Sequence, residues 1–136
     1  MGRRCKNRSD STHYHDWVEK AEDDLLAAGL LITDPELYAP CAFHCQQCTE
    51  KILKAFMLFT KQQLLDGHNL SWLCRQAQNV NQRFEQWLDE CVILNHYYIE
   101  SRYPSDLVPD MTKAQVQNAL RMATEIFNYV CDEMGL

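Results

Sequence analysis

The sequence predicts an all-α fold, an up-and-down helical bundle of four long helices plus one short helix, and three observations predict it. Apolar residues recur three and four positions apart through most of the chain. No window alternates as a strand does, and no fixed period repeats. The stretches between apolar segments are brief, which favours antiparallel neighbours around one core. At 136 residues and 46% hydrophobic content, the chain is the size of one domain that buries its own core.

The elements follow in order. Residues 1–15 read as a basic arm carrying Arg3, Arg4, Lys6 and Arg8, and residues 16–136 as the folded domain. From Asp16, the positions Trp17, Val18, Ala21, Leu25, Ala28 and Leu31 share one helical face. In "TDPEL", Asp34 can cap a second helix with Pro35 at its first turn, and Pro40 is an alternative start. That helix is expected to run to about Leu65, where "DGHNL" ends it with Gly67 in the left-handed position. Leu70, Leu73, Cys74 and Ala77 define the short helix. Phe84, Trp87, Leu88, Cys91, Leu94 and Tyr98 define a longer one, which Pro104 terminates. After the loop "PSDLVPDM", Thr112 and Gln115 form a capping box for a last helix, whose buried face is Val116, Ala119, Leu120, Ala123, Phe127 and Val130.

Composition narrows the function classes. A formal charge of −6 argues against general nucleic-acid binding. No apolar region follows the basic arm as in a secretory signal, and the apolar runs are far too short to span a membrane. Seven cysteines, an odd number in apolar surroundings, fit reduced thiols in a cytoplasm better than a disulfide framework.

The stretch "CAFHCQQC" places Cys41, His44, Cys45 and Cys48 on one side of a helix. Seven residues rise about 10 Å, whereas sulfurs about 2.3 Å from one zinc must lie within about 4 Å of each other. Cys41 and Cys48 therefore cannot share an ion while the segment is helical. The stripe also continues as Ile52, Ala55 and Phe59, as a packing face would. Core packing is the expectation, with metal or redox chemistry at Cys45 and Cys48 as the alternative. On the other side, Gln47, Glu50, Lys51 and Lys54 form a polar ladder in which Glu50 and Lys54 are ordered for an i,i+4 ion pair. A solvated face and a binding site both fit it.

The order of five segments resembles the HEPN family, the "higher eukaryotes and prokaryotes nucleotide-binding" domains. The matching residues are Trp17, Ala21, Asp24 and Leu25; then Phe43, His44, Gln46, Gln47, Glu50, Lys51, Lys54 and Ala55; then His68, Asn69 and Leu70; then Tyr98, Arg102, Tyr103 and Pro104; and the capped last helix. Asn69 stands where the family usually has Asp, and Cys45 and Cys48 where it usually has alanine, which favours packing for those cysteines.

The resemblance implies a helical bundle that commonly dimerises, is often encoded beside a minimal nucleotidyltransferase in prokaryotic, toxin-antitoxin-like pairs, and in some branches is an RNA-cleaving toxin. Those branches use an Arg-x4-6-His motif. Here only Arg8 has histidines at that distance, His13 and His15, and they precede the matched region. The expectation is therefore a non-catalytic, homodimerising module without catalytic residues, bound metal or cofactor, which takes a nucleotide or a nucleotidyltransferase partner. Lys51, Lys54 and Arg102 would supply charge for phosphates, Tyr98 or Tyr103 a ring for a base, and Gln47 and His68 hydrogen bonds. Plain structural roles compete: Arg102 as a partner for Glu50 or Glu100, Tyr98 as core, His68 as a helix cap.

Overall fold

The computed structural model describes residues 10–100 and 110–136, with the backbone alone at residues 99 and 100. The expected all-α bundle is present. Its helices are α1 (Tyr14–Leu31), α2 (Tyr38–Lys61), α3 (Leu70–Val80), α4 (Leu88–Glu100) and α5 (Lys113–Glu133). The 24-residue α2 is the axis of the fold, since each of the other four helices packs against it. Among the described residues, no helix is long and apolar enough to cross a membrane.

The cysteine stripe is core. Cys41, Cys45, Cys48, Ile52 and Ala55 are fully buried in the cluster that α2 shares with the other helices. Small thiols there bring α1 close, and the Cys41 thiol donates to the Ala28 carbonyl at 3.3 Å. The stripe ends sooner than expected, because Phe59 is 37% exposed and packs edge-on against Tyr14 at 5.0 Å. Among the described residues, no group of three or more His, Cys, Asp or Glu is arranged to hold a metal.

These thiols are chemically quiet. Burial pushes the Cys48 thiol up, and the hydrogen bond with Cys41 together with burial pushes Cys45 up. Cys91 is raised in the same way by Cys74 and burial, and the Cys74 thiol is held as a donor to the Phe84 carbonyl at 3.4 Å. Hydrogen bonds from Cys45 and Cys91 lower Cys41 and Cys74 instead, so these two are shielded by burial alone. Because the thiolate is the reactive form and must also be reached, Cys41, Cys45, Cys48, Cys74 and Cys91 are expected to resist iodoacetamide in the native protein. All five should alkylate in denaturant. Peptide mass spectrometry reads this directly, and rapid native labelling of Cys45 or Cys48 would contradict the packing.

Several boundaries differ from the sequence expectation for identifiable reasons. The first helix begins at Tyr14 rather than Asp16. Asp34 caps a separate 3-10 turn, Pro35–Leu37, by accepting from the Glu36 amide at 3.0 Å, and α2 starts only after it. At the other end α2 stops at Lys61 instead of near Leu65. Gln62 takes the left-handed conformation at φ 51° and returns its amide to Leu58, so that Leu65 can fold back into the core. Gly67, at φ 93°, serves the next turn rather than the helix end. The segment predicted as one helix from Phe84 is a six-residue 3-10 stretch, Gln82–Trp87, followed by α4. The capping box of α5 is formed as expected, with Gln115 amide to Thr112 hydroxyl at 3.1 Å and Thr112 amide to Gln115 side chain at 2.9 Å.

Tyr129 of α5 sits against Phe84 and Trp87. Burial, with the Glu133 carboxylate adding to it, pushes its hydroxyl up from 10.0 to about 12. A raised folded-state value means that the unfolded chain ionises first. The stabilising difference is therefore complete below pH 10.0 and is lost as pH rises to about 12. Tyr129→Phe is expected to flatten that alkaline loss, measured by urea unfolding at successive pH values. An unchanged pH slope would exclude Tyr129 as its source.

Candidate binding site

The polar side of α2 is not a solvated face. Glu50 is 4% and Lys54 6% exposed, Gln46 is fully buried, and Asp24 of α1 is 7% exposed. Side chains this buried must satisfy one another, and they do so in two linked groups.

In the first group, Asp24 receives Lys51 Nζ on Oδ2 at 2.7 Å and meets His44 Nδ1 at Oδ1 at 2.8 Å. The i+7 spacing from His44 to Lys51 puts both on the side of α2 that meets α1. In the second group, Glu50 receives Lys54 Nζ on Oε2 at 3.0 Å, which is the i,i+4 pair the sequence predicted, and meets His68 Nδ1 at Oε1 at 2.9 Å. Lys54 also lies 5.5 Å from the centre of the Trp17 ring, a cation–π contact that ties the pair to α1.

His68 reaches Glu50 because the loop before α3 is pinned from several sides. Gln46 Nε2 donates to the His68 carbonyl at 3.2 Å, and Gln47 Nε2 donates to Gln46 Oε1 at 2.7 Å. Asn69 caps α3 by accepting from the Trp72 amide at 3.1 Å, so the capping role weighed for His68 belongs to its neighbour. Asn95 of α4 donates to Asn69 Oδ1 at 3.1 Å and accepts from the Leu70 amide at 2.8 Å. That brings α4 alongside, where the Tyr98 ring stacks on His68 with 4.5 Å between centroids and 17° between planes. Phe43 extends the aromatic surface, 6.2 Å from Tyr98.

Of the residues expected at the site, Gln47, Lys51, Lys54, His68 and Tyr98 converge on this network. Arg102 and Tyr103 lie outside the described residues, as does Arg8 of the Arg-x4-6-His spacing. The two lysines do not project freely: each ammonium rests on a buried carboxylate. Asp24 and Gln46, which the sequence showed only as matched positions, are full members of the network, as are Glu50, marked by its i,i+4 pair with Lys54, and His44, weighed there as a metal ligand. Asn95 was missed altogether, and no spacing within α4 marks it, because its partners lie 25 and 26 residues away. The chemical result is a surface of two half-exposed or exposed imidazoles and a stacked phenol, mounted on charges that compensate each other beneath.

Comparisons with known proteins agree with the fold. The solved structure of TT1696 from Thermus thermophilus is similar, with 27% identity and a TM-score of 0.80 over 91% of this chain and 99% of that one. So is the structure of ST0689, described as an archaeal HEPN homologue, with 26% identity and a TM-score of 0.72 over 90% of this chain and 98% of that one. No curated protein matches the chain. The HEPN domain model matches residues 14–134, the whole helical bundle, and the chain therefore belongs to the HEPN domain family.

Proposed function

We propose that this HEPN domain is a non-catalytic binding module of the cytoplasm that pairs with a second copy of itself and takes a nucleotide, a minimal nucleotidyltransferase partner, or both. The observation that carries the reading is the His68–Tyr98 stack, an aromatic platform fixed by Glu50 from below and 52% exposed at the His68 side chain. A base can stack beside such a platform, and the neighbouring imidazole and Gln47 amide can bond its polar edge. The absence of the Arg-x4-6-His spacing from residues 14–134 supports a non-catalytic role. Self-association is supported by exposed apolar side chains, Trp72 on α3 with Val92 and Ile93 on α4, two helices that pack together.

Calorimetric titration of the protein with ATP and GTP, alongside sedimentation equilibrium, tests both parts. Binding that weakens tenfold or more in His68→Ala, with the fold retained, is the expected result, and a stacking loss of about 1–3 kcal/mol corresponds to it. If neither nucleotide nor a co-expressed nucleotidyltransferase binds, or if His68→Ala binds as tightly as the parent, the site is misassigned.

A further inference from the structure

Resting on the binding reading above, we infer that an oxyanion binds this surface together with protons taken up by His44 and His68, so that imidazolium rather than lysine supplies the positive charge that holds it. The geometry is two copies of one arrangement. Asp24 bridges Lys51 and His44, and Glu50 bridges Lys54 and His68. With neutral imidazoles each group sums to zero charge, one carboxylate against one ammonium. Among the described residues, these two groups therefore offer an arriving phosphate, sulfate or phosphodiester no net attraction.

The lysines cannot turn outward to meet it without leaving a carboxylate behind. The Lys54 and Glu50 side chains are only 7% and 5% exposed, and Asp24 is 10% exposed. Separating either pair would strand a buried charge. The histidines are differently placed, with side chains 34% and 52% exposed. Each uses Nδ1 against its carboxylate, which leaves Nε2 on the opposite edge of the ring. A proton added to either ring keeps the carboxylate contact and creates an Nε2–H donor beside a new unit of positive charge.

Among the described residues, the groups that face the imidazoles come from three helices. From α1 there is Asp24; from α2, Glu50, Lys51 and Lys54 with the amides of Gln46 and Gln47; from α4, Tyr98 with Asn95 behind the loop. Each ring thus has a carboxylate on its Nδ1 edge and an ammonium on the far side of that carboxylate, with the Tyr98 face against His68. An oxyanion on the outside attracts a proton added to either ring. Anion and proton binding must then strengthen each other equally, as linkage requires.

The test uses probes whose own charge is fixed near neutral pH, inorganic sulfate and cyclic AMP, against the full chain with chloride as the reference salt. Affinity is expected to rise as pH falls from about 8 to about 5.5, with a slope approaching tenfold per pH unit for each linked proton. His68→Asn and His44→Asn should each remove one proton from that slope, and the double variant should abolish it. NMR titration of the same histidines gives a second reading, in which sulfate moves their midpoints upward. Binding that is independent of pH, a slope that survives in the double variant, or no sulfate binding at about pH 5.5 would each overturn the inference. Nucleotide binding equal at both ends of the range would sink the proton coupling and leave the binding reading intact. Proton-linked sulfate binding without any nucleotide binding would do the reverse.

Discussion

Glu50→Ala is expected to destabilise the domain by about 3–5 kcal/mol, because it leaves the Lys54 ammonium buried without its counter-charge. For a chain of this length that is a fall in Tm on the order of 10–20 °C. The size follows from burial rather than from the ion pair as such. An exposed i,i+4 pair on the same helix contributes only about 0.3–0.5 kcal/mol, and the Arg121–Glu125 pair of α5, with side chains 53% and 46% exposed, belongs to that class. Glu50 also holds His68, so its loss should free the loop before α3 and remove the His68–Tyr98 platform. The double variant Glu50→Leu with Lys54→Met separates the two effects. It removes both buried charges and should recover much of the stability, yet it should not recover ligand binding. A loss below about 1 kcal/mol in Glu50→Ala would mean that the ammonium reaches water and that the pair behaves as a surface one.

The network shows which parts of this protein are legible in a sequence and which are not. Helix type and order were readable because periodicity is local: the buried faces of α1, α3 and α5, the Thr112 capping box and the Glu50–Lys54 pair all lie within a few residues of one another. The same local evidence could not tell whether the polar side of α2 met water or a neighbour. It is buried because α1 crosses it with Asp24, 27 residues from Lys51, and because a loop delivers His68, 18 residues from Glu50. The family resemblance did mark these positions, Asp24 and Gln46 among them, without saying what they touch. Asn95 carried no mark, since an asparagine on the polar side of a helix reads as solvated until a loop is seen to depend on it. Boundaries failed where tertiary packing overrode local preference. Gln62 adopts a left-handed conformation that glycine usually takes, and the chain accepts it because Leu65 must return to the core.

Phe84 shows the same override at the level of packing, and Phe84→Ala is expected to destabilise the domain by about 3–5 kcal/mol. The sequence placed Phe84 at the start of a long helix and Phe59 at the end of the α2 core stripe. In the structure Phe84 is the fully buried residue of a 3-10 stretch, and Phe59 is 37% exposed. A 3-10 run of six residues is longer than its weak hydrogen-bond geometry usually sustains, so side-chain burial has to hold it. Phe84 does so from three sides. Its ring lies 4.5 Å from Phe56 of α2 and 5.3 Å from Tyr129 of α5, and its carbonyl accepts the Cys74 thiol of α3. Alanine there opens a cavity where three helices meet. Leucine keeps most of the volume and should lose about 1–2 kcal/mol. Phe59→Ala, by contrast, should stay within about 1 kcal/mol of the parent, as partly exposed positions do. Urea unfolding of the three variants measures the differences in one experiment. If Phe59→Ala proved as damaging as Phe84→Ala, the core would follow the simple helical stripe, and the 3-10 segment would be a peripheral connection rather than a wedge.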